Sequence, residues 1–279
     1  MKTESATREF LNSCRARGLS SRTIAWYETL LYRFGNDYPK LPTNTRDIES
    51  FLGAIGGSDE TRHGYYRTLR VFYGWASKRL GVDNPVVNIT APVRRKKRPR
   101  TLSLAELGWL LAAPLSSRDR ALVTLLVDTG IRIGEAVHLT IDDIGEETIL
   151  VDGKTGQREV PISEETRRQL SELGATGYLF TGPRGPLSES GALQAIHRAM
   201  TSAGISGKKL GPHTLRHTFG RQYIVAGGDL VSLQRIMGHA QISTTRIYVD
   251  LDLRDVLSQH HRFSPLRAAT RIAQGRLFK

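Results

Sequence analysis

The chain has 279 residues, 39% of them hydrophobic and 24% charged, which suits a soluble globular protein with two domains and more than one hydrophobic core. Its longest apolar stretches, such as residues 121–127, are far too short to cross a bilayer, and Met1-Lys2-Thr3-Glu4-Ser5 lacks the apolar run of a secretory signal. One cysteine, Cys14, excludes an internal disulfide and a cysteine metal cluster, so cytoplasmic residence is expected, while a net charge of +13 favours a polyanionic partner.

Residues 1–93 read as a helical domain. Phe10, Leu11 and Cys14 mark one apolar face, and Ile24, Tyr27, Leu31 and Phe34 a second at helical spacing. Leu69, Phe72, Tyr73, Ala76 and Leu80, with Tyr65 and Trp75 nearby, give a third. Gly56-Gly57-Ser58-Asp59 is a turn into that last helix. The aromatic stripes are expected in the core. The cations among them, Arg62, Arg67 and Arg70, are candidates for phosphate contacts, although solvated arginines read the same way. Gly81-Val82-Asp83-Asn84-Pro85 ends the helical pattern.

A basic linker follows: Arg94, Arg95, Lys96, Lys97, Arg98 and Arg100 flank Pro99, putting nearly half of the net excess into one short segment. Neutralising phosphates with such cations releases condensed counterions, so a flexible strap of this kind can track a duplex backbone. A solvated charge run or a localisation signal has the same composition.

Residues 101–262 read as a second domain. Ser103 and Glu106 make a capping-box signature, and residues 121–127 form a buried helix that ends at Asp128-Thr129-Gly130. Residues 149–152 and 158–162 read as strands about the turn Gly153-Lys154-Thr155-Gly156, a small β-hairpin. Helices then resume, with residues 182–186 and 204–211 as loops.

Five separated segments of this domain carry groups suited to attacking a phosphodiester. Arg132 falls near a helix start, where the helix dipole favours an anion, and Glu135 shares its face and can orient the guanidinium. Lys154 sits at the tip of the predicted hairpin. Pro212 suits a first helical position, which puts His213 in the first turn and Arg216 one turn later on the same face; His217 is expected to make a structural hydrogen bond. Gly238 suits a helix C-cap, so His239 emerges from a backbone turn, and Tyr248 follows. Arginines can hold nonbridging oxygens, further cations can offset the charge that builds up, and a phenol can act as nucleophile. Singly, each group has an ordinary alternative: a surface Arg–Glu pair, a solubilising lysine, a hydrogen-bonded core histidine.

Taken in order, Thr129-Gly130-Ile131-Arg132, Gly153-Lys154-Thr155-Gly156 with Arg158-Glu159-Val160-Pro161, His213-Thr214-Leu215-Arg216-His217, Met237-Gly238-His239 and Thr244-Thr245-Arg246-Ile247-Tyr248 resemble the tyrosine recombinases, and within them the compact Xer-like members. Met237 stands where leucine is usual and Gly134 where a serine or similar small residue is common. The resemblance is most specific over residues 120–250. It extends more weakly into the N-terminal half, where Leu19-Ser20-Ser21-Arg22-Thr23-Ile24 and Tyr27 look like the start of a core-binding domain. It implies a mainly α fold with a small β-hairpin or sheet in the catalytic domain, the two domains forming a C-shaped clamp on DNA. Residues 1–93 would be the helical, SAM-like core-binding domain, 94–100 the basic interdomain linker, 101–262 the catalytic domain and 263–279 a tail that docks on a neighbouring protomer.

The same resemblance implies that Tyr248 makes a 3′-phosphotyrosyl link, with Arg132, Arg216 and His213 or His239 stabilising the phosphoryl oxygens. Glu135 would buttress Arg132, His217 would support, His213 would serve as base and Lys154 as general acid, with no metal or other cofactor. Its partners would be a double-stranded recombination site and copies of itself, a dimer on each site and a tetramer in the synapse, with no membrane; a second recombinase is left open. Dimer resolution on chromosomes or plasmids and integration or excision of a mobile element fit equally. A type IB-like topoisomerase shares the tyrosine chemistry, and a catalytically silent DNA-binding accessory protein would share the fold. The compact length favours recombination over the first, and the filled catalytic positions argue against the second.

Overall fold

The computed structural model describes residues 1–94, 99–153, 156–174 and 176–249, together with Asp255, Leu257 and His260. The chain divides into two units, Met1–Lys97 and Arg98–Lys279.

Among the described residues, four helices build the first unit: α1 (Thr3–Ala16), α2 (Ser21–Asp37), α3 (Thr45–Ala54) and α4 (Asp59–Leu80). Local chemistry sets their starts, since Ser20, Asn44 and Ser58 each accept a hydrogen bond from an amide three residues on. Gly81, at φ +65°, stops α4 in the left-handed conformation that lacks a Cβ penalty. The aromatic stripes are core, as their spacing predicts: Phe10, Phe34, Phe72 and Tyr73 are fully buried, and Phe10 meets Phe72 edge-on with centroids 5.5 Å apart. Burying the Tyr73 ring requires a partner for its hydroxyl, which donates to the Pro42 carbonyl at 2.8 Å. Helix α3 was not read from the sequence. It is short, and its apolar signal rests on Ile48, Phe51 and Leu52 alone.

The second unit begins with α5 (Leu104–Ala112), α6 (Ser117–Thr129) and the single turn α7 (Ile133–Ala136). A hairpin of β1 (Thr148–Gly153) and β2 (Gly156–Pro161) leads to α8 (Glu164–Ser171). A second, minimal hairpin of β3 (Thr181–Gly182) and β4 (Gly185–Pro186) precedes α9 (Glu189–Ser202). The unit continues with α10 (Pro212–Val225), α11 (Leu230–Met237), α12 (Ile242–Thr245) and a 3-10 turn, Arg246–Tyr248. The expected capping box of Ser103 and Glu106 is present.

Helix α6 is the axis of this unit and packs against α8, α9 and α10. Leu122, Leu125, Ile149, Val160, Phe180, Ile196 and Leu215 close the core around it. Each such side chain contributes roughly 1.5–3 kcal/mol relative to leaving it in water. Gly130 (φ +62°) and Gly238 (φ +63°) end α6 and α11 and turn the chain sharply after each.

Two expectations need adjustment. The β1–β2 ladder runs to the pair Gly153–Gly156, both taken for turn, and stops at Pro161, which has no amide to donate; Ile162 lies beyond it. Residues 182–186, expected as loop, fold back on themselves, with Thr181 opposite Pro186 and Gly182 opposite Gly185. Gly185 supplies the positive φ (+110°) that so tight a reversal needs. Among the described residues, no helix is long and apolar enough to cross a membrane.

Candidate active site

The site is assembled where the C-terminus of α11 meets the starts of α7 and α10. The last carbonyls of a helix have no intrahelical partner and carry partial negative charge. Here three in succession each receive an arginine. Ile236 O accepts from Arg158 Nε at 3.1 Å, Met237 O from Arg216 Nη2 at 2.7 Å, and Gly238 O from Arg132 Nη2 at 3.1 Å.

Arg216 is only 5% exposed and also donates from Nη1 to Gly130 O at 2.5 Å, at the end of α6. Burial, then the positive charge of Arg132, lowers its pKa to about 10, which leaves it cationic at neutral pH. Arg132 occupies the N-cap of α7. Its Nη1 donates to Glu135 Oε1 at 2.8 Å and its amide to Glu135 Oε2 at 2.9 Å, the orienting pair expected from their spacing. Glu135 is itself buried, and the fork of Arg158 reaches its two oxygens at 3.2 and 2.9 Å. Burial raises the Glu135 pKa. The hydrogen bond from Arg158 and the Arg132 amide outweigh it, so the carboxyl stays below its usual value and ionised.

The Tyr248 ring is 3% exposed and belongs to a small apolar cluster with Ile224, Leu233 and Met237. Its hydroxyl lies 3.0 Å from His217 Nδ1, and His239 stacks on its face at 6.4 Å and 8°. Burial raises the phenol pKa to about 12 against the lowering pull of Arg216 and Arg132, while burial and neighbouring cations lower His217 to about 4. At neutral pH the phenol therefore keeps its proton, in hydrogen-bond contact with a neutral imidazole. His239 falls to about 4 for similar reasons, burial first and then Arg216 and Arg132, and its Nδ1 sits 2.9 Å from Thr245 Oγ1.

Arg132, Glu135, Arg216, His217, His239 and Tyr248 thus meet in one place, although the segments carrying them span more than a hundred residues of sequence. The ring on the phenol is His217, whereas His213, expected as the base, stands exposed in the first turn of α10. The two histidines are one helical turn apart, and only packing against the turn bearing Tyr248 selects between them. Lys154 lies outside the described residues, as do Arg95, Lys96, Lys97, Arg98 and the whole of the expected tail, residues 263–279.

The remaining basic candidates are distributed differently. Arg62 is half-buried and donates to Leu52 O at 3.1 Å and Ile55 O at 3.2 Å, closing the end of α3. Arg94 pairs with Glu60 at 2.7 Å, and Arg100 with Glu106. Arg67 and Arg70 are exposed on α4. Arg158 was missed among the site residues, though a signal existed. Strand alternation puts it on the same face as buried Val160, and a cation on a buried strand face demands a charged or carbonyl partner. Among the described residues, no three His, Cys, Asp or Glu side chains gather as a metal-binding group.

Comparison with known proteins places the chain in a family. The pattern of the phage integrase family matches residues 100–254. Tyrosine recombinase XerC of Erythrobacter litoralis is 31% identical over 288 residues, covering 96% of this chain and 94% of the relative. Tyrosine recombinase XerD of Listeria monocytogenes is 31% identical over 281 residues, covering 88% and 94%. Among solved structures, the XerH site-specific recombinase bound to difH substrate in a pre-cleavage complex matches with a TM-score of 0.72 at 26% identity, over 89% of this chain and 82% of that one. With the family pattern spanning more than half of the sequence and relatives above 30% identity matched along most of its length, the chain belongs to the phage integrase family of tyrosine recombinases, as a Xer-like member.

Proposed function

We propose that the protein is a site-specific DNA recombinase that cuts and rejoins strands through a covalent bond between Tyr248 and DNA. The observation that carries this function is the setting of one phenol: its hydroxyl is 3.0 Å from His217, and the guanidiniums of Arg216 and Arg132 pull on its pKa from the same site. In the proposed reaction Tyr248 Oη attacks phosphorus in line. A new O–P bond forms, the bond to the 5′-oxygen breaks, and a 3′-phosphotyrosyl ester results. The phenol proton goes to Nδ1 of His217, the ring nitrogen 3.0 Å from the hydroxyl, as the new bond forms and the incoming phosphate anion makes the imidazole more basic. Arg132 and Arg216 hold the nonbridging oxygens, with His213 and His239 as further donors, and Lys154 protonates the departing oxygen. Because one ester replaces another, a 5′-hydroxyl from a second duplex can run the step backwards and exchange strands.

The domain roles follow from this function. Residues 1–93 would bind the core site, Arg67 and Arg70 on the exposed side of α4 would contact its phosphates, residues 94–100 would track the backbone and residues 101–262 would cleave, within the cytoplasm. DNA is the partner, with the protein as a dimer on each site and a tetramer in the synapse. Relatives named XerC and XerD match at the same 31% identity, so similarity favours neither role.

The test is a nicked suicide duplex whose site is first selected from random-sequence DNA by binding to the protein. Wild type without divalent metal is expected to form a covalent protein–DNA band, and two such sites to yield recombinant product. Tyr248→Phe is expected to lose the band and keep DNA binding. Tight binding by wild type with no band would overturn the proposal in favour of a silent accessory protein, and relaxation of single duplexes without recombinant product would favour a topoisomerase.

A further inference from the structure

The pair formed by Glu135 and Arg158 is more constrained than an ordinary salt bridge. Both side chains are largely buried, Glu135 at 6% and Arg158 at 13% side-chain exposure, whereas Arg132 keeps 34%. Two glycines make room for the pair. A Cβ on Gly153 would lie 2.7 Å from Glu135 Oε1, and one on Gly238 would lie 2.6 Å from the Arg158 guanidinium carbon. Arg158 is therefore threaded between the β1–β2 hairpin and the end of α11, with its fork on Glu135 and its Nε on Ile236 O. Glu135 in turn grips Arg132 through both the guanidinium and the amide.

We propose that Arg158 is a positioning residue for strand cleavage: acting through Glu135 and the Ile236 carbonyl, it fixes Arg132 against the scissile phosphate without touching that phosphate itself. The chemistry favours arginine over lysine at this position. Only a planar fork can bind both carboxylate oxygens while a third N–H reaches a backbone carbonyl. Remove that fork and Glu135 is left short of a partner in a buried site, free to pull Arg132 inward. The one guanidinium with an open third then loses its aim, and misplacement on the scale of an ångström costs about 100-fold in rate.

Because the inference rests on the recombinase function, its test keeps the two separable. Wild type is first required to form the covalent band on the suicide duplex; if it does not, the function fails and not merely the positioning role. Single-turnover cleavage is then compared for wild type, Arg158→Lys and the double variant Glu135→Gln with Arg158→Met, which leaves the net charge of the Arg132, Glu135 and Arg158 cluster unchanged and no buried carboxylate without its fork, and so guards against simple misfolding. Each is run on a phosphodiester and on a methylphosphonate, in which one nonbridging oxygen is replaced by a neutral methyl group. Both variants are expected to bind DNA as wild type does and to cleave the phosphodiester about 100-fold more slowly. On the methylphosphonate the deficit is expected to shrink to about tenfold or less, because one guanidinium has lost its target. Slowing by the same factor on both substrates would mark a merely structural residue. Cleavage of the phosphodiester within about threefold of wild type would equally overturn the proposal.

Discussion

The two histidines that flank the phenol make acid stability a sharp test of the site. His217 and His239 each titrate at about 4 in the folded protein, chiefly because burial disfavours the charged ring and the nearby cations add to that. In the unfolded chain both return to about 6.5. Between those values the unfolded state binds protons that the folded state refuses, so stability rises with pH across the window. It is present in full above pH 6.5 and is lost as the pH falls towards 4. One pKa unit corresponds to about 1.4 kcal/mol, so a depression of roughly 2.5 units bounds the contribution at about 3.4 kcal/mol per ring. Part of the cationic repulsion is screened by solvent, and roughly 2 kcal/mol per ring is the expected effect. The assay is urea unfolding followed by circular dichroism at several pH values from 7 to 4.5, for wild type and for His217→Asn with His239→Asn. Carboxylates titrate in both proteins and cancel in the comparison. The variant should lose less stability than wild type over that range, by about 3–4 kcal/mol. Parallel loss in the two proteins would refute the claim that these rings are held neutral by their surroundings.

Two further substitutions probe how the nucleophile and the domain entrance are seated. A Cβ on Gly220 would lie 2.8 Å from Tyr248 Cζ and 2.9 Å from two more ring atoms, so Gly220→Ala should push the phenol off His217. Covalent-complex formation should slow at least about tenfold although alanine is the better helix former; an unchanged rate would show that the ring is not seated by this contact. Thr218 Oγ1 accepts from the buried Leu102 amide at 2.8 Å, so Thr218→Val should destabilise by about 1–3 kcal/mol in chemical denaturation. A loss under about 0.5 kcal/mol would mean that another acceptor replaces the hydroxyl.

Local rules written in the sequence determined much of this protein. Helical spacing fixed which faces of α1, α2 and α4 are buried, and the side chains of Ser58 and Ser103 fixed where α4 and α5 begin. Gly130 and Gly238 marked where α6 and α11 had to stop, and the three-residue step from Arg132 to Glu135 joined that pair. All of these act within one or two turns, over distances that backbone geometry alone prescribes. Packing decided the rest. Whether His213 or His217 meets Tyr248 depends on how α10 crosses the turn at residues 246–248, thirty-one residues along the chain from His217. That Arg62 closes α3 and that Arg158 reaches both Glu135 and Ile236 depend likewise on elements brought together from separate parts of the sequence. A charged side chain announces that it needs a partner. Which partner it finds is settled only when the buried surfaces have docked, because desolvation makes one satisfied arrangement far better than the others.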